Sequence, residues 1–159
     1  MMIEVKFDNK NVLKALDALA KSSANPRPAL LAIGEDLVKS TKKRFNEGRS
    51  PDGKAWALNS PLTLKRKRGS KPLIDTGTLR DQIGYAEDGD VLTIFSTMEY
   101  AATQQFGAKQ GAFGRTKRNV PIPWGGIPAR PFLGISIEDE QVIVETISDY
   151  LVDVLNRNK

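Results

Sequence analysis

Leu30, Ile33, Leu37, Val38, Thr41 and Phe45 recur at the spacing of one helix face. An apolar stripe sustained over about five turns needs an apolar partner along its length. Any fold open to this chain is therefore built along one long helix. Asn25-Pro26 supplies its start, an N-cap with proline at the first helical position, and Gly48 supplies its stop. Two further stripes are available to cover it. Val12, Leu13, Leu16 and Leu19 mark a helix upstream, and Ile143, Ile147, Tyr150, Leu151 and Val154 mark one near the end. Ser136 caps that last helix. Glu138, Asp139 and Glu140 in its first turn suit the helix dipole, and Arg157 and Lys159 close it.

Other segments read as strands and short helices. Ile3, Val5 and Phe7 alternate with Glu4, Lys6 and Asp8, the pattern of a half-buried strand. Gly84-Tyr85 opens a hairpin that turns at Glu87-Asp88-Gly89-Asp90 into a strand over 91–95. A short capped helix is expected within residues 75–83. Ser96-Thr97-Met98-Glu99 has the form of a capping box for a helix running from Tyr100 to Phe106 and stopping at Gly107.

Two stretches lack periodicity. In the first, a basic loop over residues 48–72, Ser50-Pro51-Asp52-Gly53 is a turn signal and Trp56 and Leu58 are expected to pin the segment to the core. Lys65, Arg66, Lys67, Arg68 and Lys71 read as its solvated basic part. The second is a loop or arm over residues 107–134. It holds 6 of the 13 glycines and 4 of the 9 prolines. A structureless loop of this length is uncommon inside a compact domain and is usually functional or disordered until bound.

At 159 residues the chain is read as a single domain, 1–159. It has no cysteine and no histidine. Disulfides, zinc and iron–sulfur sites, thiol nucleophiles and histidine-based triads therefore lack their atoms. Neither GxGxxG nor GxxxxGK[ST] occurs, and Glu87-Asp88-Gly89-Asp90 does not continue into the twelve-residue pattern of a calcium loop. Asp75 and Glu99 are the carboxylates an acid–base reading would pair, yet each has a local turn or capping role. The reading is of a non-enzymatic protein, with no catalytic residue, metal or cofactor. No run approaches the ~20 apolar residues of a membrane span, and the charged, alternating start has none of the marks of a signal peptide. A cytoplasmic protein with no membrane partner is expected.

The net charge of +5 hides an alternation. Residues 1–41, 42–80, 81–107, 108–134 and 135–159 carry +1, +8, −5, +5 and −4. Lys65, Arg66, Lys67, Arg68 and Lys71, with Arg115, Lys117 and Arg118, are candidate phosphate contacts, although only Phe113 lies close enough in sequence to stack on a base. Equally, these basic residues can meet the acidic stretches of a neighbouring copy, as a self-associating ring requires. Trp124 and Phe132 divide evenly between anchors within the loop and anchors against a partner. Trp56, Tyr100 and Phe106 read as core or loop anchors.

Four stretches then carry a resemblance. Ser50-Pro51-Asp52-Gly53-Lys54-Ala55-Trp56, Leu73-Ile74-Asp75-Thr76-Gly77-Thr78-Leu79, Tyr100-Ala101-Ala102-Thr103-Gln104-Gln105-Phe106-Gly107 and Ile127-Pro128-Ala129-Arg130-Pro131-Phe132-Leu133-Gly134 resemble, in order and spacing, the virion morphogenesis or tail completion family of Mu-like and P2-like phages and prophages. The resemblance implies an α+β domain, helices packed on a curved antiparallel sheet with long extended loops. It implies a non-enzymatic tail completion or tail terminator subunit that forms a ring, hexameric in the family, at the head-proximal end of the tail. Its partners would be itself, the tail tube and head-completion or neck proteins, and its location the host cytoplasm and then the virion. The alternative is a nucleic-acid-binding protein using the basic loops, or a capsid or neck assembly factor, and non-specific contact with DNA is a further partner reading. Gln104 stands where the family often has His, so the motif reads as structural. Gly77 allows a tight turn and Gly107 a left-handed helix stop. Pro128 and Pro131 stiffen the chain around Arg130, whose planar fork suits a carboxylate such as those opening the last helix.

Overall fold

A computed structural model of the chain describes residues 9–159. Its elements are α1 (Lys10–Lys21), α2 (Arg27–Glu47), α3 (Pro61–Arg66), α4 (Thr78–Asp81), β1 (Ile83–Asp88), β2 (Val91–Ser96), α5 (Ala101–Phe106) and α6 (Ile137–Arg157). The strand expected at Ile3, Val5 and Phe7 lies outside the described residues.

The stripe on α2 organises everything else. Leu30, Ile33, Leu37, Thr41 and Phe45 are buried along it, and the helix stops at Gly48 in the left-handed conformation. Its start falls one residue later than expected: Pro26 is the N-cap, while the Asn25 side chain accepts from the Arg27 amide. Two core clusters divide its length. At its N-terminal end Val12, Leu19, Ala29, Ile33, Leu37, Ile143 and Ile147 join α1, α2 and α6. At its C-terminal end Phe45, Trp56, Leu79, Ile83, Ala101, Phe132 and Leu133 gather the loops and short helices. On α1 the buried stripe is narrower than expected, because Leu13 and Leu16 are exposed.

α6 runs antiparallel to α2. Asp139 in its first turn meets Arg44 near the end of α2, and the Tyr150 hydroxyl donates to the Asn25 carbonyl just before the start of α2. Ser136 caps α6 as its sequence predicts, in a full capping box with Asp139.

β1 and β2 form an antiparallel hairpin with Ile83 opposite Ser96 and Asp88 opposite Val91, turning through Gly89 and Asp90. The fold is thus α+β, helices against a small antiparallel sheet, two-stranded among the described residues. Leu92 and Ile94 reach the first cluster, and Tyr85 lies flat on α2 because Gly34 has no Cβ. A Cβ there would sit 2.5 Å from the Tyr85 ring. Arg27 at the start of α2 pairs with the buried Glu87 of β1 at 3.2 Å.

The capping box expected at Ser96–Glu99 does not form. Ser96 is still paired in β2, its hydroxyl accepts from the Met98 amide, and α5 begins later with no side-chain cap. Conversely, part of the expected basic loop is helical. The Ser60 hydroxyl accepts from the Thr63 amide and Pro61 takes the first turn, so Lys65 and Arg66 ride on α3.

Candidate functional site

The four quoted stretches converge on one latch at the C-terminal end of α2. Its pivot is Gln105, buried on α5. The Gln105 Oε1 accepts from the amides of Phe132 and Leu133 at 2.9 and 3.0 Å, and its Nε2 donates to the Leu133 carbonyl at 3.0 Å. A single side-chain amide thus satisfies three backbone groups of a segment that forms no regular structure. Beside it the Trp56 indole donates to the Pro131 carbonyl at 2.8 Å. The Phe45 ring packs edge-to-face with Trp56 and tilted against Phe132, with centroids 5.5 and 5.3 Å apart. Trp56 is the core anchor expected of it. Leu58, expected to pin the same segment, is 82% exposed.

Arg130 is buried here too, with a direction that sequence reading missed. Its Nε and Nη2 donate to the carbonyls of Ala57 and Leu58 at 2.7 and 3.0 Å, and its own amide donates to the Gln104 carbonyl. Burial lowers its pKa from the ordinary guanidinium value. The carboxylate at the start of α6 belongs to another arginine, Arg44, which pairs with Asp139 and also donates to the carbonyls of Phe132 and Gly134. Burial pushes the Arg44 pKa down, while Asp139, and then Glu138 and Glu47, push it back up. Arg44 lies three residues beyond Thr41 on the buried face of α2. A cation in an apolar stripe was the sequence signal for that pair.

Gly77 and Gly107 both take positive φ, as expected at their turns. Gly107, however, has ψ near 179°, so it is not a left-handed stop. It lets two backbones touch: a Cβ there would meet the Ile127 carbonyl oxygen at 2.6 Å and the Ala129 nitrogen at 2.8 Å.

That contact closes the base of the arm. Ala108 and Ile127 exchange both backbone hydrogen bonds, at 2.9 and 2.7 Å. Further out the Gly111 amide donates to Pro123, Phe113 to Ile122, Ile122 to Gly114 and Thr116 to Val120. Residues 108–127 are an irregular hairpin rather than a structureless loop. Arg115 reaches back to the Asn119 carbonyl near its tip, while Lys117 and Arg118 are exposed. Phe113, Val120 and Ile122 are exposed as well, and Trp124 is 67% exposed. Trp124 and Phe132 therefore part company, since Phe132 is fully buried. Tyr100 and Phe106, read as anchors, are also exposed, and Phe106 stands at the root of the arm.

Between the arm's base and α3 lies an open cleft of about 800 Å³. Arg66, Lys67, Asp75, Gly77, Tyr100, Gln104 and Arg130 line it, so sequence candidates from four segments meet around one cleft. Lys67 donates to the Lys71 carbonyl, and Lys71 donates to the Asn46 carbonyl at the end of α2. Burial in the cleft lowers the Lys67 pKa, Asp75 opposing and Arg130 adding to the shift. Asp75 accepts from the Arg68 amide at 3.5 Å. Among the described residues no group of three or more acidic or metal-ligating side chains is placed to hold a metal ion, and no helix is long and apolar enough to cross a membrane.

A domain whose motifs lock loops to a helix, and which spends its projecting loop on exposed apolar and basic side chains, is organised for assembly. The chain belongs to the phage virion morphogenesis family, whose model matches residues 7–152. It is 33% identical over 150 residues to the Mu-like prophage FluMu G protein 2 of Haemophilus influenzae, spanning 94% of this chain and 96% of that protein. It is 31% identical over 154 residues to the putative capsid assembly protein G of Escherichia phage Mu, with 91% of each chain covered. No solved structure matches it.

Proposed function

We propose that the chain is a non-enzymatic tail completion or tail terminator subunit. Copies of it form a ring at the head-proximal end of a phage tail, contact the tail tube and neck, and support head–tail joining. One observation carries this reading beyond the family: the arm over 108–127 is tied across itself by its own backbone hydrogen bonds, yet presents Phe113, Val120, Ile122 and Trp124 to solvent. A preformed arm with exposed apolar side chains docks at low entropic cost. Its place of work is the host cytoplasm during assembly and then the virion.

A second reading has support of its own. The phage Mu relative is named a putative capsid assembly protein, and a factor of that kind would act during head building. Deleting the gene from its phage separates the two. A terminator subunit is needed for joining, so its loss leaves filled heads beside unjoined or overlong tails, and the protein is present in purified virions. A head assembly factor leaves normal tails and defective heads. For DNA contact through Lys65, Arg66, Lys67, Arg68 and Lys71, the signature is binding to duplex DNA that weakens steeply with salt.

A further inference from the structure

Among the described residues two surfaces are unpartnered and opposite in character. The first is the arm. Residues 108–129 carry Lys109, Arg115, Lys117 and Arg118 and no acidic residue. Among these cations stand the exposed Phe113, Val120, Ile122 and Trp124. The second is the outer face of α6. Its buried side is spent on α1 and α2 through Ile143 and Ile147. Its outer side exposes Val142, Val152 and Leu155, with Leu155 65% exposed. Glu138, Glu145, Asp149 and Asp153 lie among them, and no lysine or arginine occurs between Ile137 and Asn156. Apolar residues framed by cations thus stand on one surface, and apolar residues framed by carboxylates on the other.

Within one chain the arm's root and the second half of the α6 face stand apart. The arm springs from the latch at the C-terminal end of α2, while Tyr150 pins the second half of α6 beside Asn25, just before the N-terminal start of α2. A helix of 21 residues separates the two ends, about 30 Å at 1.5 Å per residue. Within the arm, the paired backbone from Ala108–Ile127 out to Thr116–Val120 holds the chain in place.

We infer that the arm of one copy docks on the outer face of α6 of the next. Trp124 and Phe113 cover Val142, Val152 and Leu155, and Arg115, Lys117 and Arg118 face Glu145, Asp149 and Asp153. The contact joins two different surfaces, so it is head-to-tail. Repeated, it closes a ring when the rotation per copy divides a full turn, and otherwise grows a filament. This rests on the ring reading above and supplies its interface.

Absence of native cysteine makes the test clean. Full-length chains carrying Trp124→Cys are mixed with chains carrying Val152→Cys or Val142→Cys, and a short bismaleimide is added. The proposal requires a cross-linked heterodimer from these mixtures and only background from Trp124→Cys mixed with Val91→Cys, at the exposed hairpin tip. Charge reversal gives an independent arm. Chains with Arg115, Lys117 and Arg118 changed to Glu lose self-association in sedimentation, as do chains with Glu145, Asp149 and Asp153 changed to Lys. Mixing the two sets restores assembly with the variants alternating, because the acidic arm of one meets the basic α6 face of the other, and the unchanged arm of the second meets the unchanged α6 face of the first. Circular dichroism confirms that each variant is folded. Association that survives both reversals, with cross-links no stronger than at Val91, overturns the arm–α6 contact and leaves the ring reading standing. A wild-type chain that stays monomeric at every concentration and salt overturns both.

Discussion

Arg44 and Asp139, separated by 95 residues in sequence, form a buried ion pair that fastens the end of α2 to the first turn of α6. The pair is fully employed. Arg44 also donates to the carbonyls of Phe132 and Gly134, and Asp139 accepts from the Ser136 amide in the capping box. Removing one partner of such a pair leaves a buried charge uncompensated, which costs about 3–5 kcal/mol. Arg44→Met is expected to fall in that range by urea denaturation. Asp139→Asn is milder, since an amide oxygen still accepts from Ser136. The double variant is less destabilised than the sum of the two, and that shortfall measures the coupling.

Phe132 and Trp124 test the division between latch and arm. Truncating a buried aromatic costs about 3–5 kcal/mol, so Phe132→Ala is expected to be severely destabilised. Trp124→Ala removes an exposed ring and is expected to change stability by no more than about 0.5 kcal/mol. Thermal or chemical denaturation of the two variants side by side decides whether the segment has one role or two.

The motif residues predict a sharp positional contrast. Gln105→Ala leaves two amides and a carbonyl of the Phe132–Leu133 segment without partners, each unsatisfied buried group costing about 1–3 kcal/mol. Gln104→His, one position earlier, touches none of these bonds and is expected to be tolerated. Gly107→Ala drives a Cβ into the backbone of Ile127 and Ala129. Its expected effect is an opened arm base, read as faster amide exchange at Ala108 and Ile127.

Much of this architecture was legible in the sequence because its causes are local. The stripe on α2, the cap at Ser136 and the turn at Gly89-Asp90 each follow from residues within a few positions of one another. What was missed depends on distance. The Arg44–Asp139 pair and the bonds from Arg130 to Ala57 and Leu58 join residues 72 to 95 positions apart; periodicity puts Arg44 on the buried face of α2 but names no partner for either arginine. Competition explains the rest. Ser96 has the chemistry of a cap, but strand pairing with Ile83 claims its backbone first. Gln104 drew attention through the family pattern, yet the helix turns the neighbouring Gln105 inward.

The turn at Ser50–Lys54 carries a pH signature. Hydrogen bonds from the Ser50 hydroxyl, the Lys54 ammonium and the Lys54 amide hold the Asp52 carboxylate down to about 2 from its ordinary 3.8. A carboxylate depressed in the folded state lends stability that is fully present above its unfolded pKa and lost as pH falls through its folded pKa. The turn's contribution is therefore complete above about pH 4 and lost on acidification towards about 2. Carboxyl-carbon NMR titration is expected to place the Asp52 midpoint near 2, and Ser50→Ala to move it back towards 3.8.

The central claim is that this chain works as a closed assembly, and the most direct measurement is the mass and shape of the purified full-length protein. Native mass spectrometry with negative-stain imaging is expected to show a whole multiple of 17.5 kDa and an annular particle that dissociates as salt is raised. A single 17.5 kDa species at every concentration and ionic strength, with no ring in the images, would contradict it.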